Sequence, residues 1–501
     1  MPEPAATVRA DDRLVVPEAQ APLPRWRSVL PVVPLLFALL GAILMYAPAL
    51  NSPFVADDYT YLYSVHKLSF AHYARAALVP GANDSVLTLT AYFWRPLYYL
   101  SFEATIRLFG NAVLPYHLVS LAIHLSAVVL VWLLALRLTH RWEAAAVASS
   151  VFAVHPAGQE SVSWISAVNS VGLPLSLAAW LSFTAAVEAS RPSRRHALLG
   201  VSVVLLAIAL GFRETSIMVI PAMVLWYFFV SERGHLRNSR TWSVFLPYVA
   251  LIAVYALLRT RFLTLPPTNE HVSHFTLDTP GKVWYYLKLA LFPFANSTGW
   301  RLWLERAGAL LLLVAIPLAA VLRRRLLTVL LIAFVLSVLP YAPLPLGVSS
   351  RYFYFPSAFL ALALGVAAVD LRDATSPRLP ARLPAYALGS GCVLILAVGA
   401  YVGRSRIDTW VAENSDVQQA WVHQLRTRYP TLPAGGTLYT TNTPFLLALF
   451  DDAALIPTVH YYYPQTANII PFEPAQLSEI QAALGPNDRV FIYEPLGAPP
   501  R

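Results

Sequence analysis

Two adjacent carboxylates, Asp57 and Asp58, follow directly on the first long apolar run, in the segment Asn51-Ser-Pro-Phe-Val-Ala-Asp-Asp-Tyr59. Acids at the lip of a bilayer are costly to desolvate and are seldom idle. An ionised carboxylate can take the proton of an attacking hydroxyl. Two side by side resist joint ionisation, which lifts one toward a base's working range. Three separated arginines accompany them: Arg95 in Trp94-Arg-Pro-Leu97, Arg213 beside Glu214, and Arg351 beside Tyr352. The guanidinium fork stays charged and matches phosphate oxygens. A further polar stretch opens as His155-Pro-Ala-Gly-Gln-Glu160 and runs through Ser161-Val-Ser-Trp164 to Asn169. This mixed-sign set suits a substrate with an anionic head group and a hydroxyl to be deprotonated. Each residue also has a plainer reading. The aspartates can cap a helix starting near Tyr59, Glu160 can pair with an arginine, and Arg95 can snorkel to the interface. Arg213 and Glu214 can neutralise each other across a turn, and Tyr352 can anchor an interface. His117 and His124 share a helix face but stand about 10 Å apart. That is too far to share one metal ion, so they are read as packing or hydrogen-bonding residues.

The elements that must position these groups are membrane spans. Of 501 residues, 57% are hydrophobic and 13% charged, where soluble domains carry nearer 25% charge. Apolar runs of spanning length lie near 28–49, 114–137, 142–156, 167–189, 196–212, 214–231, 242–262, 306–322, 324–341, 352–369 and 385–403, about eleven in all. Pro96–Gly110 is short and carries Glu103 and Arg107. If it lies flat as an interfacial helix, the arginine-rich loops at 137–141, 191–195, 233–240, 323–325 and 372–382 all fall on the cytoplasmic side. The net charge of +9 then reflects membrane orientation, not nucleic-acid binding. The candidate residues fall on the opposite, outer side. Val283–Phe294 reads as a second interfacial helix ended by Pro293.

The predicted organisation is a cytoplasmic tail over 1–27, an all-α polytopic unit over 28–404 with an outer loop at 50–113, and a small outer α/β domain over 405–501. Strand-like runs occur at Thr437–Thr441 and Val490–Glu494, each near a turn cluster. The single cysteine excludes an intrachain disulfide or a cysteine metal cluster. No phosphate-binding glycine loop of either common nucleotide type is present, which argues against an ATP-driven pump. A transporter or lipid flippase predicts mid-membrane polar residues and repeated halves, and neither is visible. A membrane scaffold would leave the arginines without purpose.

The aspartate pair after the first span resembles the first outer loop of the GT-C glycosyltransferases, which use polyprenyl-phosphate-linked sugars. The chain is more closely similar to the O-mannosyltransferase family of transmembrane proteins with tetratricopeptide repeats. The matching pieces, in order, are Trp94-Arg-Pro-Leu97, Tyr116-His-Leu-Val-Ser120 with His124, and Phe152-Ala-Val-His-Pro-Ala-Gly-Gln-Glu-Ser-Val-Ser-Trp164. Phe212-Arg-Glu-Thr-Ser216, Tyr286-Leu-Lys-Leu-Ala-Leu-Phe-Pro293 and Ser350-Arg-Tyr-Phe-Tyr-Phe-Pro-Ser357 follow. The repeat array is absent, Val168-Asn169 replaces the family's glycine-arginine, and Ser350 replaces its glutamate.

The resemblance implies an inverting transfer of a sugar, mannose in that family, to an acceptor hydroxyl on a protein or glycan. Asp57 or Asp58 would act on the acceptor. Arg95, Arg213, Arg351 and Tyr352 would hold the donor phosphate. Glu160, His155, Glu214, Asn169 and Trp164 would position sugar or acceptor. A groove between interfacial helices and spans would admit the lipid tail. No cofactor is firmly implied, although a divalent cation is compatible. The expected setting is a bacterial inner membrane with the carboxyl-terminal domain in the periplasm.

Overall fold

The computed structural model describes residues 32–79, 94–167, 171–231, 239–262, 276–294, 298–343, 349–378, 380, 383–447, 454–466 and 468–494. Asn169, one of the expected site residues, lies outside them. So do the tail at 1–27 and the arginine loop at 233–237.

Helices dominate. From the amino end, α1 (Val33–Tyr46) leads to the polar α2 (Asp57–Lys67) and the short α3 (Phe70–Leu78). Next come α4 (Pro96–Phe109), α5 (Val113–Thr139) and α6 (Trp142–Ala153). The apolar series continues with α7 (Gly172–Glu188), α8 (Pro192–Phe212), α9 (Val219–Phe229) and α10 (Leu246–Phe262). It closes with α11 (Thr279–Leu291), α12 (Trp300–Val321), α13 (Arg325–Val338), α14 (Tyr354–Thr375) and α15 (Leu383–Trp410). Among the described residues, eight helices are long and apolar enough to cross a bilayer, and Glu214–Phe229 and Arg325–Tyr341 are shorter apolar helices. With α6 these account for the expected eleven segments. The chain is an integral membrane protein. Helix α4 and helix α11 stand where the two interfacial helices were expected, and α11 stops two residues short of Pro293.

Helix α6 sits at the centre, and Ala144 to Ala153 are all buried. Its alanines and serines let neighbouring backbones approach closely, as small residues do between membrane helices. Helices α1, α5, α14 and α15 all pack on it. The approach of α14 is tight: a Cβ at Gly365 would fall within 2.4 Å of the Ala144 carbonyl oxygen. Only glycine permits that crossing.

The carboxyl-terminal part departs from the expected boundary. The helix does not end at 404. It runs on as one rod over Leu383–Arg428, through a π-helical turn at Val411–Asp416 into α16 (Val417–Arg428). Apolarity falls where the rod leaves the spanning segment, but the backbone hydrogen bonds continue. Beyond it, β1 (Thr437–Thr441), β2 (Asn468–Pro471) and β3 (Arg489–Ile492) form a parallel sheet in the order β2-β1-β3. Leu438 pairs with Ile469 on one side and with Arg489 on the other. Helices α17 (Leu455–Tyr462) and α18 (Leu477–Ala483) are the crossovers. This unit shares an apolar cluster with the aspartate loop: Val55, Ala56, Trp164 and Trp410 lie with Trp421, Leu425, Leu438 and Phe491. Helix α17 packs directly on α2.

Candidate active site

The aspartate pair opens α2 from a turn with an unusual backbone. Ala56 has φ +49° and ψ −116°, a region that L-residues avoid at a cost of about 1–3 kcal/mol. The two acids then diverge. Asp58 is 1% exposed, and both its oxygens accept from backbone: Val55 N–H donates to Oδ2 and Ser166 N–H to Oδ1, each at 2.8 Å. It closes its own turn and ties that turn to the segment after Trp164. Burial pushes its carboxyl up to about 7 against the pull of those donors, and the Asp57 charge adds to the rise. Asp57 is crowded by protein atoms yet only partly buried. Among the described residues, nothing hydrogen-bonds to its carboxylate and no cation pairs with it within 4 Å. Burial raises its pKa, and the charge of Arg351 opposes that rise.

Arg351 enters at the head of α14. Its guanidinium lies 4.9 Å from the Trp164 ring centre and 5.2 Å from that of Tyr352. Glu160 fixes this segment from below, accepting from Ser349 Oγ at 2.7 Å and Ser350 Oγ at 2.8 Å. Ser161 Oγ donates to the Arg351 carbonyl. Glu160 therefore positions the arginine's backbone. Arg213, in the turn between α8 and α9, approaches the Tyr352 ring at 5.9 Å. It is 7% exposed, and its Nε is buried with no hydrogen-bond partner. Among the described residues no carboxylate lies within 4 Å of it. A buried guanidinium left in this state is expensive and is well placed to receive an anion.

Arg95 and Glu214 bind each other. Arg95 Nε donates to Glu214 Oε2 at 2.8 Å, and Nη2 donates to Oε1. The plainer reading for Glu214 survives in part, but its partner is Arg95 and not its neighbour Arg213. His155 is committed to backbone. Its Nδ1 accepts from Ala157 N–H, its Nε2–H donates to the Ala290 carbonyl at 2.9 Å, and its ring stacks on Phe353. It ties the turn after α6 to α11 and, among the described residues, makes no hydrogen bond to Glu160. His117 and His124 likewise make buried hydrogen bonds, to the Ser52 carbonyl and to Tyr354 with the Ala153 carbonyl. Among the described residues no three His, Cys, Asp or Glu side chains converge to hold a metal ion.

The structure thus brings Asp57, Arg351, Tyr352, Arg213, Trp164 and the Arg95–Glu214 pair to one end of the helical bundle. Glu160 and His155 stand behind them as supports. An apolar groove of about 350 Å³ runs beside His155, between α6, α11, α14 and α15, and is lined by Val154, Leu291, Phe292, Leu394 and Val398. Three contributors were not foreseen from the sequence. Ser166 acts through its backbone N–H. Gln418 accepts from the Ala56 N–H at 2.8 Å. Arg406, in the last apolar helix, donates to the Phe294 carbonyl at 2.6 Å. Only Arg406 carried a readable signal, a charge at the same end of a span as the others.

Residues 95–259 match the family of dolichyl-phosphate-mannose-protein mannosyltransferases. Comparison with curated protein sequences gives no match. Among solved structures, the chain is similar to the archaeal oligosaccharyltransferase AglB from Archaeoglobus fulgidus, solved in complex with an inhibitory peptide and a dolichol-phosphate. The TM-score is 0.52 at 13% identity, over 89% of this chain and 65% of that one. The chain therefore spans just under two thirds of the archaeal protein's length. ArnT from Cupriavidus metallidurans bound to undecaprenyl phosphate aligns at a TM-score of 0.49 and 13% identity, over 92% of this chain and 95% of that one. The matched segment carries Arg95, His155, Glu160, Trp164, Arg213 and Glu214, and the fold is shared across nearly all of the chain. The chain thus shares its fold with the archaeal membrane enzyme, and its segment 95–259 matches the mannosyltransferase family.

Proposed function

We propose that the enzyme transfers a sugar from a polyprenyl-phosphate donor to an acceptor hydroxyl, with inversion, at the outer face of a bacterial inner membrane. The observation that carries this reading is the presence, at one end of the bundle, of an open carboxylate, Asp57, and a buried arginine, Arg213, whose Nε has no hydrogen-bond partner. Asp57 takes the acceptor proton as the hydroxyl oxygen bonds to the anomeric carbon. The bond from that carbon to the phosphate oxygen breaks, and the lipid phosphate departs with the electron pair. Arg213 and Arg351 stabilise the charge that grows on it, with Tyr352 between them. The Arg95–Glu214 pair buttresses Arg213, and the apolar groove beside His155 takes the lipid tail. Mannose as the sugar and a protein hydroxyl as the acceptor follow the description of the matched family.

The test is turnover of a labelled polyprenyl-phosphate sugar by Asp57→Asn and Asp58→Asn. Loss of a general base lowers rate by about 10²–10⁴, so Asp57→Asn should show a fall of that size. Full activity in Asp57→Asn would overturn the assignment. Running the same assay with a chelator decides whether a divalent cation accompanies the donor.

A further inference from the structure

We propose that Gln418, at the start of α16, is a positioning residue that holds the turn before Asp57 in its active shape. The role makes the carboxyl-terminal rod a working part of the active site. It rests on the reading of Asp57 as the base.

Three observations converge on this. The first is the backbone of Ala56, whose positive φ of +49° places Asp57 at the head of α2. Alanine does not choose this conformation by itself. The second is what holds it. The Ala56 N–H donates to Gln418 Oε1 at 2.8 Å, and Gln418 is fully buried. Gln419 adds a second hold, its Nε2 donating to the Phe54 carbonyl at 3.3 Å and to Tyr59 Oη at 3.2 Å. Tyr59 in turn shares a hydrogen bond of 2.9 Å with Tyr462 of α17. Two consecutive glutamines thus grip both flanks of the aspartate pair. The third is the π-helical turn at Val411–Asp416. An added residue in a helix shifts the register of everything after it, and such turns recur at functional sites. Here the shift falls just before Gln418 and Gln419.

Packing agrees with this. Val55 and Ala56 belong to the apolar cluster of the carboxyl-terminal unit and not to that of the spans. The turn is therefore built on the rod, while Arg351 and Arg213 are built on the bundle. The distance between base and phosphate site depends on how the rod holds the turn.

The experiment compares Gln418→Leu, Gln418→Glu and the double variant Ala56→Gly/Gln418→Leu in turnover of a polyprenyl-phosphate sugar. Binding of polyprenyl phosphate itself serves as the check on folding. Misplacing a reacting group by about 1 Å costs up to about 100-fold in rate. Gln418→Leu should therefore lower kcat by about 10- to 100-fold, with the donor KM and polyprenyl phosphate binding unchanged. Gln418→Glu keeps the acceptor oxygen and should retain most of the activity. Glycine at position 56 adopts a positive φ without assistance, so the double variant should recover part of the lost kcat. A purely structural role predicts loss of binding along with kcat and no recovery from glycine, and either result would overturn the proposal. Full activity in Gln418→Leu beside an inactive Asp57→Asn would end the positioning role alone. An active Asp57→Asn would end the base assignment instead.

Discussion

The two ends of the helical bundle both carry arginines and carboxylates, yet they use them differently. At one end Arg137 pairs with Glu188 at 2.6 Å, Arg141 with Asp373 at 3.1 Å, Arg372 with Glu143 at 2.6 Å and Arg324 with Asp370 at 3.4 Å. Each of those acids has its cation, and most of the side chains are partly open to solvent. At the other end Arg95 and Glu214 pair, but among the described residues neither Asp57 nor Arg213 has an ion-pair partner within 4 Å, and Arg213 meets the aromatic side chains of Tyr352 and Tyr341 instead. A charge-balanced cluster is complete in itself. An unbalanced one in a poorly hydrated cleft stores a cost that a ligand of the right charge relieves. Charge density therefore marks both ends of this molecule, and imbalance marks only the end proposed as the active site.

After Asp57→Asn, the largest effect should come from the unbalanced cation. Removing one preorganised donor to a developing negative charge costs about 10²–10³ in kcat, and Arg213→Ala should fall in that range. Its thermal midpoint should hold or rise, because an unsatisfied buried donor disappears with it. A fall in midpoint together with activity would mean that Arg213 is a structural cation, and the contrast between the two ends would collapse.

Asp58 tests the same contrast from the carboxylate side. In Asp58→Asn one of the two buried N–H donors, from Val55 or Ser166, faces an amide NH₂ and loses its acceptor. That costs about 1–3 kcal/mol, to be read from the unfolding midpoint. The pH dependence has a definite sign. The folded-state pKa of about 7 stands above the unfolded value of 3.8, so the folded protein binds the extra proton between those values. The contribution is full below the unfolded value and is lost as pH rises toward 7. Within that window the wild type should lose stability relative to Asp58→Asn by at most about 1.4 kcal/mol per pH unit. A difference that does not change with pH would show Asp58 to be ionised throughout.

Much of this was legible from residue type and spacing. The spans follow from run length, since a helix rises about 1.5 Å per residue and a bilayer core is about 30 Å thick. Thr437–Thr441 was readable as a strand because β-branched and aromatic residues, preceded by Gly435-Gly436 and followed by Asn442, leave little choice. Asn468–Pro471 was not, being four residues ending in proline. The second predicted strand, Val490–Glu494, is observed one residue earlier at its start, as Arg489–Ile492. The position of the expected boundary near 404 falls inside a continuous helix. At the candidate site, the aspartate pair stood out by its place in the sequence, but the different surroundings of its two members did not. Asp58 is held by two backbone N–H groups and Ala56 by a side chain 362 residues away. Backbone donors leave no trace in side-chain spacing, and a glutamine facing one amide looks like any other glutamine.

The smallest effect belongs to the balanced end. Arg372 caps the last turn of α14 and Glu143 the first turn of α6, so each charge suits the dipole of its own helix before they meet. Their side chains are 18% and 15% exposed. In Glu143→Gln, Arg372 keeps Asp373 at 2.7 Å and remains neutralised. The double-mutant cycle of Glu143→Gln with Arg372→Met should give a coupling of about 1 kcal/mol or less, with turnover unchanged. Both helices pack along their length, so a strained end would be felt as a shift of α14 on α6, and Arg351 stands just before α14. A loss of turnover in Glu143→Gln comparable to that of Arg213→Ala would therefore show that the two ends are mechanically coupled. Unchanged turnover with a small loss of stability leaves the balanced end as scaffold and the unbalanced end as the seat of the chemistry.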